Sequence, residues 1–490
     1  MRKSGRDAGT EQAVVISRIG GISRAVCLAL LFAAQARAGD TWVVDDDGPA
    51  NFHDLATAVA AARDGDVLLI RPGHYRAAQV VRKGLSLLGA GPSLVTVEAE
   101  PGTPALAARE LGTSQQLVVS GLTVAGRGET ITVERCGGPV VLADLVIEGR
   151  DEKRASRGPQ FTDCLNLILA RVAILPGAGV PGSAPALDLI RCNAALTQVV
   201  GVAPDGAAAK SPRGRGAPGC VGLAITDSAA ELAQCEFVGG DGGAALWDAA
   251  APFCPEAAVG GAGGTALATS GLSSILVFNP TNGELRGGRG GAAARNPWER
   301  CWSFAGDGGT GLSASATEKG LPNVRLSNVT LVAGPAGVGD ASRAGKEGRD
   351  RDAGIESLTW ESAVVPTIAI DHHAIGGREV TFRAHGAPGD VVTVLVSNVI
   401  GLARLRGARG FALRALPGEF WLVMTLGRLD DKGDLVTDST LPAEAGYVGR
   451  TFLVQAVMTG SGGGQGSARL SNVDVLAITD GFGPPVVRSE

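Results

Sequence analysis

Ile131-x-Val133-x-Arg135-Cys136, Phe161-x-Asp163-Cys164 and Leu187-x-Leu189-x-Arg191-Cys192 recur along the chain with their cysteines 28 residues apart. Cys220 lies one further interval on, and a fourth motif copy reads Leu223-x-Ile225-x-Asp227-Ser228. A second apolar run follows each copy, at 140–147, 165–175, 196–202 and 232–238, and a later copy ends in Val324-x-Leu326 and Val329-x-Leu331. A fixed period of about 20–50 residues marks a repeat array in which each unit buries its face against the next. Within each unit the apolar residues alternate and Gly-rich turns separate them, so the units are built from β-strands. Stacked strands lie about 4.8 Å apart, so Cys136, Cys164 and Cys192 fall into one internal column. Packing is the favoured role there, because free cysteine behaves as a small buried hydrophobe.

The composition agrees. Of 490 residues 73 are Gly, 45% are hydrophobic and 4% are aromatic. That apolar content argues against disorder. Glycine has no strict three-residue period along the whole chain, which excludes collagen. It is also too abundant for a helical bundle, since each interior Gly costs about 1 kcal/mol relative to Ala. The net charge is −5, and no basic tract stands out, so nucleic acid is an unsuitable partner. Residues 1–38 read as a secretory signal peptide: basic residues, an apolar run at 25–34, then Ala36-Arg37-Ala38. The run is shorter than the about 20 residues needed to span a bilayer. The expectation is an exported protein that is secreted, periplasmic or on the cell surface, without an integral membrane segment after cleavage.

A second repeat decorates one turn. Gly239-Gly240-Asp241-Gly242-Gly243 leads through Cys254 to Gly263-Gly264-Thr265, and Gly287-Gly288-Arg289-Gly290-Gly291 leads through Cys301 to Gly308-Gly309-Thr310. Insertions of this kind cluster on one face of a repeat array. Cys254 and Cys301 hold like places, which makes a disulfide between the loops one of two open readings, the other being free thiols. Trp247, Trp298 and Trp302 lie in the same loops and are the candidate ligand surface, with a local loop core as the alternative. The runs are not phosphate loops, because no Lys-Ser/Thr follows them.

The opening segment carries the most specific pattern. It runs Trp42-Val43-Val44-Asp45-Asp46-Asp47-Gly48, Asn51-Phe52-His53-Asp54-Leu55, Asp64-Gly65-Asp66, Arg71-Pro72-Gly73-His74-Tyr75 and Leu85-x-Leu87-x-Gly89-Ala90-Gly91. Leu55, Val59 and Ala62 make a helical stripe that suits a plug over the end of a stacked core. The segment resembles the start of right-handed parallel β-helix proteins of the pectin lyase-like group. That resemblance implies an all-β chain: a right-handed parallel β-helix with an N-terminal capping helix over 39–362. From about 363 the repeat stops and some seven short alternating strands follow, including 411–416 and 420–429, with an Asp430-Asp431-Lys432-Gly433-Asp434 turn. This pattern predicts a small antiparallel β-sandwich over 363–490. The charged stretch 339–352 reads as a loop.

The family resemblance implies polyuronate lyase, glycoside hydrolase or esterase chemistry, with Ca²⁺ bound by stacked acids in the lyases. Calcium needs six to eight oxygen ligands. In this chain Arg135, Asp163, Arg191 and Asp227 hold equivalent places beside the cysteine column and are the catalytic candidates. Alternating charges at one turn fit better as an outward ladder of ion pairs. Asp45-Asp46-Asp47 reads as a turn, and His53 and His74 as parts of the cap. Asp371-His372-His373 is a poor metal pair, because adjacent residues on a strand face opposite ways. No metal site or cofactor is expected unless the chain is a Ca²⁺-dependent lyase. The leading expectation is a non-catalytic structural or glycan-binding protein. A polysaccharide lyase or hydrolase and an adhesin are the alternatives. The oligomeric state is not encoded in these patterns.

Overall fold

The structure is a computed structural model. It describes residues 39–479 apart from 100–101, 127–128, 150–157, 176–183, 211–213, 247–257, 295–302, 318–319, 340–343, 353–357, 361–363, 371–373, 376–377, 404–408, 441–447 and 461–467. The described residues cluster as one compact unit. The regular structure of the described chain is nearly all strand, with one short helix.

The chain passes alternately through two parallel sheets. Ile131–Cys136, Gln160–Cys164, Leu187–Ile190 and Leu223–Thr226 are neighbours in the smaller sheet, and Leu117–Gly126, Val140–Gly149, Leu167–Leu175 and Asn193–Val202 in the larger. Register is kept from circuit to circuit: Val140 pairs with Leu117 behind it and Leu167 ahead. Val140, Leu142 and Leu145 join Ile131, Val133 and Cys136 in one buried core between the sheets. Val141 and Ala143, on the opposite face, pack with Leu395, Leu413, Leu453 and Val475 of the C-terminal strands. These strands are thus buried on both faces, which explains unbroken apolar runs such as Val140–Ala143.

The helix Leu55–Ala61 turns Leu55, Ala58 and Val59 into that core. Asp54 caps its N-terminus by accepting the Thr57 N–H at 2.9 Å. At the other end Lys83 Nζ donates to the carbonyls of Val59 and Ala62, where a cation suits the helix dipole. Asp66, buried, accepts from Asp40 N–H, Trp42 Nε1 and Arg63 N–H and fixes the turn into the next strand.

The Gly-rich segments form a second lattice. Segments 203–209, 239–245, 287–293 and 333–338 make one layer: Gly206 N–H donates to Asp241 O at 2.6 Å, Gly242 to Arg289 O at 2.7 Å and Gly290 to Pro335 O at 2.9 Å. Segments 216–220, 259–264, 304–310 and 345–349 make the other, running in the opposite direction. Between layers Gly240 donates to Cys220 O, Gly264 to Gly240 O, Gly288 to Gly264 O, Gly309 to Gly288 O and Gly334 to Gly309 O, all at 2.7–3.0 Å. The next set of bonds, from Gly243, Gly261 and Gly291, lies three residues along. A three-residue turn is the period of polyproline II. A Cβ on Gly288 would run into the Gly240 carbonyl, so the inward positions need glycine. The three-residue period absent from the chain as a whole is present here. The stretch 345–349, read as part of a loop, is the eighth segment.

The C-terminal strands form a three-stranded antiparallel sheet and a six-stranded, largely antiparallel one. The runs 411–416 and 420–429 are parts of one strand, Leu413–Arg428, instead of two. The strand lies at a sheet edge with register shifts opposite Ser397–Val399, where the backbone of Pro417 is tolerated. Two buried clusters tie these sheets to the large parallel sheet. Arg171 binds Asp144 at 2.7 Å and also pairs with Asp474 and the Val475 carbonyl. Arg414, about 1% exposed, reaches Asn166 Oδ1, Asn193 Oδ1 and Glu231 Oε2 at 3.0, 2.9 and 3.4 Å.

Candidate functional site

The four charged candidates stand in one column. Strand register places Arg135 beside Asp163, Asp163 beside Arg191 and Arg191 beside Asp227. All four have left-handed backbone, with φ of 54°, 56°, 51° and 48°. This conformation turns the chain out of the strand, so their side chains leave the core. The column is longer than the sequence motif: Arg82 (φ 54°) and Glu110 (φ 57°) precede it and Gly271 (φ 67°) follows. Six successive circuits thus alternate in sign. Arg82 meets Glu110 at 2.6 Å, Arg135 meets Glu110 at 3.0 Å, and Arg191 grips Asp163 through two bonds of 2.6 and 2.9 Å. The Arg191 guanidinium holds the Asp163 carboxyl below the usual carboxylate range, and Arg82 does so for Glu110. Asp227 accepts the Leu272 N–H at 3.0 Å. Carboxylates held in this way are poor proton donors at neutral pH, and the arginines beside them are already neutralised.

A second polar place lies at the helix-capped end. Asp45, Asp46 and Asp47 bring carboxylate oxygens within 4.8 Å of one another. Asp46 accepts the His74 N–H at 2.8 Å, Asp45 Oδ1 accepts the Gly48 N–H at 3.1 Å, and His53 Nδ1 meets the Asp45 carbonyl at 2.9 Å. Beside them a groove of about 600 Å³ is lined by His53, Asp54, His74, Tyr75, Arg76 and Gln79, among others. Burial and the nearby Asp46 push the Tyr75 hydroxyl well above its ordinary pKa, and it donates to the Arg71 carbonyl. The acids belong to a turn, as read from the sequence, and the His53 imidazole and the His74 backbone N–H brace it.

Trp247, Trp298, Trp302, Cys254 and Cys301 lie outside the described residues, as do Asp371, His372 and His373. The chain leaves for 247–257 and for 295–302 from one end of the glycine lattice, since Ala245 N–H bonds Ala292 O and Ala258–Val259 pairs with Ser303–Phe304. The acids of the glycine repeat are tied laterally: Asp205 accepts the Asp241 N–H, Asp241 the Arg289 N–H and Asp307 the Lys346 N–H, at 2.7–2.8 Å. Asp430 accepts the Lys432 and Asp434 N–H groups, as a hairpin turn requires. Cys136, Cys164, Cys192 and Cys235 are free and buried, and Cys220 is buried. Among the described residues no helix is long and apolar enough to cross a membrane.

Sequence reading missed Arg82, Glu110 and the buried pair sites at Arg171 and Arg414. Arg82 and Glu110 lack a following cysteine, so the motif hid them. The buried arginines sit on strands with two apolar faces, and the unbroken runs beside them were the available signal. No known family profile matches the chain, and no curated protein matches it.

Proposed function

We propose that the chain is an exported, non-catalytic right-handed parallel β-helix protein with a C-terminal β-sandwich, acting as a structural or glycan-binding element outside the cell. The observation that carries this reading is the alternating charge column. The residues best placed for polysaccharide chemistry neutralise one another circuit by circuit and tie the stack together. Two parallel sheets in register and a glycine lattice support a stiff body suited to a scaffold. Incubation of the purified protein with uronate and neutral polysaccharides tests it. Co-sedimentation with at least one polymer, without release of unsaturated or reducing ends, is the expected result. Release of such ends, abolished by Arg191→Ala or Asp163→Ala, would move the assignment to a lyase or hydrolase.

A further inference from the structure

We propose that the outer face of the smaller parallel sheet docks on the same face of a second copy of this chain, about a two-fold axis that runs parallel to the strands. The charge column supplies the complementarity. Arg82, Glu110, Arg135, Asp163, Arg191 and Asp227 follow one another on successive circuits. Six alternating charges read in reverse order carry the opposite sign at every step. The axis keeps each place along the strand opposite itself and reverses the order of circuits, as in any self-complementary two-fold contact. Arg82 then faces Asp227 of the second copy, Glu110 faces Arg191 and Arg135 faces Asp163, and each pair occurs twice.

Bonding within the chain leaves charge over for such a partner. Arg82, Glu110 and Arg135 form one ion-paired group, at 2.6 and 3.0 Å, with two cations to one anion. Asp163 and Arg191 form the next, with Asp227 beside Arg191 in register, and hold two anions to one cation. Among the described ion pairs none joins Arg135 to Asp163, so the two groups stay separate. One half of the column is therefore positive by one charge and the other negative by one, and the two-fold sets unlike halves together. The cations are open to a partner: the side chains of Arg82, Arg135 and Arg191 are 74%, 59% and 52% exposed.

The rest of the face accepts the same operation. The residues one place before the column are Val81, Arg109, Glu134, Thr162, Ile190 and Thr226, each exposed or half-buried. Reversal sets Val81 opposite Thr226, Arg109 opposite Ile190 and Glu134 opposite Thr162. Asp188, two places further back, has Ala107 as its counterpart. No like charges meet among these residues, and like charges set together are what exclude a partner. Six strands about 4.8 Å apart and about four residues long present roughly 400 Å² per copy. A contact of that size belongs with weak, reversible complexes.

The test is sedimentation velocity of the purified full chain at about 100 µM, which populates complexes of micromolar Kd. The parent protein should sediment as a dimer in about 0.05 M salt and as a monomer in about 1 M, where the screening length falls to about 3 Å. Arg135→Glu alone and Asp163→Arg alone should each sediment as monomers in low salt, with folding verified by circular dichroism. The left-handed positions of the column already carry Arg, Glu and Asp, so these exchanges make no new demand on the backbone. An equimolar mixture of the two variants should recover the dimer, because each reversed charge then meets its opposite across the contact. An ion pair lost within one chain is not restored by adding another chain, so recovery separates docking from a merely structural role. A parent that stays monomeric in low salt, a dimer that survives both single reversals, or a mixture that stays monomeric overturns the proposal. Should either variant fail to fold, Glu110→Arg and Arg191→Glu decide by the same mixing criterion.

Discussion

At Asp163 a φ of 56° and a two-bonded arginine act together. The left-handed backbone aims the carboxylate outward, and Arg191 meets it from the next circuit. Its folded-state pKa is depressed, so its stabilising effect is present above the ordinary carboxylate value and fades as pH falls through the lowered one. Arg191→Ala should raise the Asp163 pKa toward the ordinary carboxylate value, as read by carboxyl-carbon NMR titration. Cys235 behaves oppositely: burial pushes its thiol up to about 12. Native protein treated with iodoacetamide at pH 8 should therefore show Cys235 unmodified by peptide mass spectrometry, and modified once unfolded. The sequence motif displayed the middle of the charge column because each charge there precedes a cysteine or serine. Its beginning stayed hidden because Lys83 and Leu111 follow Arg82 and Glu110.

Elements differ in how clearly they were written. The capping helix was legible from its apolar stripe, while its Asp54 cap came from the structure; Asp54→Ala should cost about 1 kcal/mol in chemical denaturation. The glycine lattice was not legible as a lattice. Its repeats were visible, but the three-residue hydrogen-bond period emerges only when eight segments meet, and no single segment announces its neighbours. Its two-sided demand gives a sharp contrast. Gly288→Ala places a methyl group against the Gly240 carbonyl and should destabilise by about 1–3 kcal/mol, as overpacking does. Ala244→Ser, at a half-buried outward position, should stay within about 0.5 kcal/mol. Equal losses in the two melting curves would contradict the arrangement.

For the whole molecule, the important contacts join the large parallel sheet to the C-terminal strands. The change of pattern near residue 363 was readable, but the burial of one assembly on the other was not, because the polar anchors Arg171 and Arg414 look like surface residues in sequence. Arg414 is almost fully buried, and its removal leaves Asn166, Asn193 and Glu231 facing an empty site. Arg414→Ala should cost about 3–5 kcal/mol, the usual loss when one partner of a buried pair goes. Limited proteolysis should then cut the C-terminal strands faster than in the parent protein. Unchanged proteolysis and stability would mean that the apolar contacts of Val141, Ile168, Leu453 and Val475 suffice.

The glycine lattice also limits how such a gene can change in length. Each layer gains one segment per passage of the chain, and every inner segment bonds to both neighbours of its own layer. Loss of a few codons would misalign one row against all the others. Excision of residues 240–287, by contrast, brings Gly288 to the place of Gly240 and leaves the remaining rows matched. Natural variants of this protein should therefore be longer or shorter by whole repeats, and tandem duplication is the route by which the body can grow.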